Sequence, residues 1–151
     1  MTTIVCNLEE MAGDLQFTNV VTGYKFKGKT KVYKFQPHDL HYPNGEFIVG
    51  FAGTASDIVT VAEFFSNPEG FRTPPKVRGL TGLVLTSKKE IFYFDTFTNW
   101  IRVGDKYSAI GSGAQVALGV LASGGSPTEA IKIASKHDAY TGMGMKTESF
   151  K

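Results

Sequence analysis

Strand patterns fill the chain as far as Phe51 and return between Leu83 and Ile110, with one short helix between the two runs and two helices after them. Segregated runs of strands and helices pack as α+β layers, whereas a parallel sheet needs the two to alternate. The run starts at once. Thr3-Ile4-Val5-Cys6 is β-branched and apolar, so the N-terminal segment is tied into a sheet. Asp14 to Phe17 and Tyr24 to Lys27 read as further strands, with Gly23 and Gly28 as punctuation. Lys31 to Phe35 alternates polar and apolar at the period of a half-buried strand. Pro37 to Gly45 reads as a loop closed by Pro43-Asn44-Gly45, and Phe47 to Phe51 as a buried strand.

Ile58, Val61, Ala62 and Phe65 recur at helical spacing. They predict a helix over Asp57 to Phe65, capped by Ser56 or Thr54 and stopped at Asn67-Pro68. Phe71 to Gly79 carries Pro74-Pro75 and cannot be a continuous helix. A hairpin is expected from Leu83-Val84-Leu85 to Ile91–Phe94, then strands over Trp100–Val103 and Tyr107–Ile110. Gly113 to Ala122 reads as a helix. Ser126-Pro127-Thr128-Glu129 is a capping box with proline at the first helical position, starting a helix that runs to His137. No pattern marks the tail from Gly142 onward.

Composition narrows the function classes. The 151 residues suit a single domain, 1–151, with its own core. A net charge of +2 is too balanced for a chain built around phosphates, so no nucleic-acid partner is expected. One cysteine excludes an intrachain disulfide. His38, His41 and His137 have no ligand spacing, so neither a metal nor another cofactor is expected. No apolar run approaches the about 18 residues of a membrane span, and no signal-peptide pattern is visible. The reading is therefore a cytoplasmic protein without a membrane partner.

Chemistry is concentrated in a few places. Removal of Met1 before a small residue is expected and leaves Thr2 with a hydroxyl and a free α-amine. That is a nucleophile and a base on one residue, the amine having a reference pKa of about 7.7–8.0. Asp14, after Gly13, can orient the amine or a basic neighbour; read alone, the commoner reading is a turn aspartate. Lys31, turned inward beside Asp14, lowers the pKa of the amine; turned outward it is a solvated strand lysine. Gly50, in Val49-Gly50-Phe51-Ala52-Gly53, can present its N–H to a developing oxyanion. Ala109-Ile110-Gly111-Ser112-Gly113 again runs from strand to helix, and Asp138 to Gly142 follows the last helix. Val116 takes the third position of Gly111-Ser112-Gly113, which breaks the dinucleotide fingerprint.

Taken in order, Thr-Thr-Ile-Val, Ala-Gly-Asp-x-Gln, Lys-Gly…Lys-Val, Gly-Phe-Ala-Gly and Ala-Ile-Gly-Ser-Gly resemble the N-terminal-nucleophile (Ntn) hydrolases of the HslV and proteasome β-subunit type. The likeness spans roughly residues 2 to 142. It implies an α+β Ntn-hydrolase fold, two antiparallel sheets sandwiched between helix layers, and a threonine endopeptidase that cuts peptides through a threonyl ester. It implies Thr2 as nucleophile, Asp14 and Lys31 as the charged pair beside it, Gly50 as oxyanion donor and Ser112 near the amine. Asp138, Thr141 and Gly142 correspond to the supporting Asp-x-x-Ser-Gly segment, with threonine in place of serine. Gly13, Gly53, Gly111 and Gly113 likewise fall where backbone runs close to the nucleophile.

The implied partners are a peptide or unfolded-protein substrate and further copies of the chain in a homo-oligomer. The family carries two long helices where this chain has one short helix and Phe71-Arg72-Thr73-Pro74-Pro75, which shortens one helix layer. Those helices build ring contacts and the docking face of an ATP-dependent unfoldase, so such a partner is in doubt. A compact relative of this kind suits a phage, which would place it in the host cytoplasm. The alternative from another class is a catalytically inactive relative kept as an assembly or virion-associated structural protein.

Overall fold

Asn7 closes the first hairpin within two residues: its Oδ1 accepts the N–H groups of Glu9 and Glu10, both at 2.9 Å. The strands it joins are Thr3–Asn7 (β1) and Glu10–Asp14 (β2). The expected strand from Asp14 to Phe17 is therefore corrected. The strand begins at Glu10, and it breaks at Leu15, where the chain changes partners. Leu15 N–H donates to Gly144 O at 3.1 Å, and Leu15 O accepts from Gly28 N–H at 2.8 Å.

The computed structural model describes residues 2–36 and 45–150. The loop expected at 37–45, with His38 and His41, lies outside the described residues except for Gly45. After β2 come Gln16–Thr18 (β3), Lys25–Lys27 (β4), Val32–Phe35 (β5), Phe47–Gly53 (β6) and Ala55–Ser66 (α1). Leu80–Thr86 (β7), Ile91–Thr96 (β8), Asn99–Arg102 (β9) and Tyr107–Gly111 (β10) follow. Ala114–Ala122 (α2), Pro127–His137 (α3) and Met145–Ser149 (β11) complete the chain. One sheet has the order β10-β1-β2-β11, a second β5-β6-β7-β8-β9, and β3 and β4 form a small hairpin; every pairing is antiparallel. This is a mixed architecture of antiparallel sheets with three helices among the described residues.

Strand alternation sorts the apolar side chains into three clusters. Ile4 and Cys6 of β1 meet Ile48 and Ala52 of β6 and Leu83 and Leu85 of β7. Val5 and Ala12 point the other way, onto Ala117, Leu121, Ala130 and Ile131 of α2 and α3. Val49 and Phe51 pack with Ile58, Val61 and Phe65 of α1 and with Phe94. Each such fully buried side chain contributes about 1.5–3 kcal/mol relative to exposure. Phe65, wholly buried, meets Phe35, Phe47, Phe51, Phe94, Phe97 and Trp100 with ring centroids 5.5–6.3 Å apart.

Helix α3 has its expected capping box: Ser126 Oγ accepts from Glu129 N–H at 3.2 Å, and Glu129 Oε1 accepts from Ser126 N–H at 3.2 Å. Helix α1 starts two residues earlier than predicted. Thr54 sits at its N-cap without a side-chain cap bond, and Ser56 lies within the helix. After it comes a 3-10 turn at Pro68–Gly70 and an irregular stretch to Gly79, so no second helix follows. The unassigned tail forms β11 against β2, from Met145 opposite Asp14 to Ser149 opposite Glu10. It enters that strand through Met143 and Gly144, at φ 62° and 96°.

Candidate active site

Thr2 stands directly before β1, Asp14 ends β2 and Lys31 directly precedes β5. The β1–β2 register sets Ile4 against Gly13, so Thr2 and Asp14 lie at the same end of the hairpin. The contacts of β5 and β6 with β2 and β1 bring Lys31 to that end from the other sheet. All three side chains are buried, at 1%, 0% and 1% exposure. Lys31 Nζ donates to Thr2 Oγ1, to Gln16 O and, at 3.1 Å, to Asp14 Oδ1, which uses its three protons. Thr2 Oγ1 in turn donates to Asp14 Oδ1.

Asp14 has all the donors a buried carboxylate needs. Its Oδ1 also accepts Thr3 N–H at 3.1 Å, and its Oδ2 accepts Gln16 N–H at 3.3 Å and Gly142 N–H at 3.0 Å. Burial disfavours the ammonium of Lys31 and holds its pKa below the usual lysine value; Asp14 opposes this but does not cancel it. The ring of Phe17 lies 4.7 Å from Nζ and excludes water from that side.

A second network holds the side chain of Thr3 and lies against the carbonyl of Thr2. Ser112 Oγ lies 2.5 Å from Asp138 Oδ2 and 3.3 Å from Thr2 O. With one proton to give, it serves Asp138 better. Thr141 Oγ1 also donates to Asp138 Oδ2, at 2.5 Å, which leaves Thr3 Oγ1 as the donor in its 2.7 Å contact with Thr141 Oγ1. Burial raises the Asp138 carboxyl, but these bonds and Tyr140 N–H outweigh it and hold the group below its ordinary value.

Gly50 is elsewhere. It lies within β6, opposite Val32 and Leu83, and a Cβ there would meet Ile4 Cγ2 and, at 2.8 Å, Met11 Sδ. Its lack of a side chain lets the two sheets approach, and Gly50, expected as the oxyanion donor, is not among the residues lining the cleft beside Thr2. Gly53, three positions further along the same strand, does reach the surroundings of Thr2. It lines a cleft of about 350 Å³ with Thr2, Arg78, Asp95, Gly111 and Ser112. Its φ of +143° and the Gly79 carbonyl packed on its Cα admit no other residue without strain. A larger cleft of about 680 Å³, lined by Phe17, Tyr24, Phe26 and Lys31, shares Gly53 and Gly79 with it.

Residue spacing gave no role to Thr3, Gln16 or Phe17. Gln16 stood in the Ala-Gly-Asp-x-Gln motif, but nothing local marks a glutamine as a brace. No group of three or more His, Cys, Asp or Glu side chains that could hold a metal exists among the described residues. Cys6 is wholly buried, and burial pushes its thiol up to about 12, which leaves it inert at neutral pH.

No family model and no curated protein sequence matches this chain. Solved structures do match, and they show its fold, an HslV-like N-terminal-nucleophile fold. Eukaryotic HslV from Trypanosoma brucei superposes with a TM-score of 0.67 at 18% identity, over 97% of each chain. BPH from Thiobacillus denitrificans, solved in complex with epoxomicin, has a TM-score of 0.69 at 14% identity over 99% of this chain and 97% of that one. The Anbu (Gly-1) mutant from Hyphomicrobium sp. strain MC1 has a TM-score of 0.75 at 10% identity over 100% of this chain and 82% of that one. At such identities the likeness is one of fold.

Proposed function

We propose that this chain is an N-terminal threonine endopeptidase of the HslV type, active once Met1 is removed. The observation that carries this reading is the hydrogen bond from the buried, Asp14-paired Lys31 ammonium to Thr2 Oγ1, at the edge of an open cleft. A lysine is costly to bury, and here all its protons are spent on one carboxylate, one carbonyl and one hydroxyl. The three clusters, in the order helices–sheet–sheet–helix, also support reading the fold as two sheets between helix layers, one of them shortened.

In this mechanism the freed α-amine of Thr2 takes the proton of Oγ1, and the oxygen attacks the carbonyl carbon of a peptide bond. Lys31 stabilises negative charge on Oγ1 and lowers the pKa of the neighbouring amine. The oxyanion forms against the backbone of Gly53 in place of Gly50. Collapse returns the proton to the leaving amine and leaves a threonyl ester. Water then attacks the ester, giving up its proton through the same amine, and releases a carboxylic acid and Thr2. The two clefts meet at Gly53 and Gly79, which gives a substrate room on either side of Thr2. Self-association belongs to the same reading and is supported by Val20, Val21, Tyr24 and Phe26, all exposed on one hairpin.

Intact mass shows whether Met1 is absent. A peptide vinyl sulfone is then expected to add once, at Thr2, and to be lost from Lys31→Met. Retention of Met1 together with no adduct would overturn the peptidase in favour of an inactive assembly protein.

A further inference from the structure

Asp14 ends β2 and Lys31 directly precedes β5, while Asp138 and Thr141 belong to the segment after α3. The first group contacts Thr2, while the second holds Thr3 through Thr141 Oγ1 and meets Ser112, which lies against Thr2 O, so the two must keep register with each other. Gln16 touches both. Its own N–H donates to Asp14 Oδ2 at 3.3 Å, and its carbonyl accepts from Lys31 Nζ. The residue is 5% exposed, and its side chain reaches across to the other segment: Nε2 donates to Ala139 O at 2.9 Å and to Thr18 Oγ1 at 3.0 Å. A carbonyl only accepts, which fixes the amide nitrogen on the Ala139 side, and its two protons have two acceptors.

Three residues beyond Ala139, Gly142 N–H returns to Asp14 Oδ2 at 3.0 Å. A Cβ at Gly142 would lie 3.0 Å from Gln16 Oε1, so the amide fills the space between these strands of chain. Asp14, Gln16, Ala139 and Gly142 thus form a closed circuit. Opening it at the Gln16 side chain leaves every direct contact of Thr2 intact.

We infer that Gln16 is a positioning residue whose carboxamide braces segment 138–142 against the Asp14–Lys31 pair and so sets the geometry around Thr2. The kinetic part of this inference rests on the peptidase reading; the structural part does not. Lys25 Nζ also donates to Ala139 O, at 3.3 Å, but from an exposed and flexible side chain. That contact tethers the carbonyl without fixing its direction.

The test uses Gln16→Met, which keeps the shape and removes both donors, and Gln16→Ala. In either, the Gly142 amide is expected to exchange about tenfold faster while Val5 in β1 stays protected. The saturating rate of vinyl-sulfone labelling is expected to fall about tenfold with the half-saturating concentration within about twofold, the pattern of lost positioning and not of lost binding. In the unmodified protein both Gln16 side-chain amide protons are expected to exchange slowly. Fast exchange of those protons overturns the brace whether or not the variants fold. So does Gly142 exchange that is unchanged, or that rises no more than Val5. Locally faster Gly142 exchange, in a protein whose unmodified form never labels, upholds the brace and overturns the peptidase.

Discussion

Lys31 Nζ lies 3.1 Å from Asp14 Oδ1, and the two side chains are 1% and 0% exposed. Seventeen positions apart, they face each other from different sheets. Losing one partner of such a pair leaves a charge stranded in the interior. Lys31→Met and Asp14→Asn are each expected to cost about 3–5 kcal/mol of stability by that argument. The double variant should cost clearly less than the sum, since neither charge is then left alone. Urea unfolding of the four proteins measures this, and an additive cycle would show that the pair is not coupled.

Stability at alkaline pH should carry the mark of Lys31. Its folded pKa lies below 10.5 because burial disfavours the ammonium, so above the folded value the unfolded chain binds more protons. Stability therefore rises with pH between the folded value and 10.5, and the cost of burying the charge is felt in full only below that window. Compared at matched pH, the unmodified protein should gain on Lys31→Met across this window. A parallel pair of curves would contradict the direction of the shift.

At the acid end the group to follow is Asp138, held below 3.8 despite the opposing effect of burial by its bonds from Ser112, Thr141 and Tyr140. A depressed carboxyl contributes stability above its unfolded value and loses it as pH falls through the folded one. Asp138→Asn should flatten the acid limb of the pH–stability curve below about pH 4. Thermal melts from pH 2 to 7 read this directly.

The two glycines of β6 should separate by their effects. Gly50→Ala drives a methyl into Ile4 and Met11 and is expected to cost about 1–3 kcal/mol through overpacking, with labelling of the folded fraction preserved. Gly53→Ala meets the Gly79 carbonyl at a φ of +143°, beside Thr2, and is expected to abolish labelling. Loss of labelling in Gly50→Ala with the fold intact would restore Gly50 to the site.

Val21 is 91% exposed at the tip of the β3–β4 hairpin, with Val20 at 53% beside it. If this hairpin supports self-association, Val20→Ser with Val21→Ser should reduce the mass seen by sedimentation while leaving the melting temperature within a few degrees. An unchanged mass in an associating protein would move the contact elsewhere.

Much of this architecture was legible in order along the chain. The β-branched N-terminal segment, the alternation of Lys31 to Phe35 and the Ser126–Glu129 capping box are local signals, and the elements they mark exist. Glu10–Asp14 and Met145–Ser149 were not legible, for a different reason in each. Asn7 closes its turn with a side chain, so β2 starts earlier than the Gly13-Asp14 motif suggests. β11 is an edge strand of mostly polar residues that owes its form to β2, not to its own pattern.

At the site, Thr2, Asp14, Lys31, Ser112, Asp138 and Thr141 could be named from motif order. What each touches could not. Gly50 and Gly53 share one motif and differ by three positions, and only the approach of Ile4 and Met11 shows which of them packs between the sheets. The donor direction from Thr3 to Thr141 and the reach of Gln16 to Ala139 join residues more than a hundred positions apart. The amino-acid sequence alone determined the segregated runs of strand and helix, the capped start of α3 and the residue types able to do nucleophilic chemistry, because backbone propensity and side-chain chemistry are local. The tertiary structure alone decided that Lys31 is buried against Thr2, and that Gln16 joins the two halves of the site. Burial and hydrogen-bond partnership arise only when two sheets meet, and no short stretch of chain contains both of them.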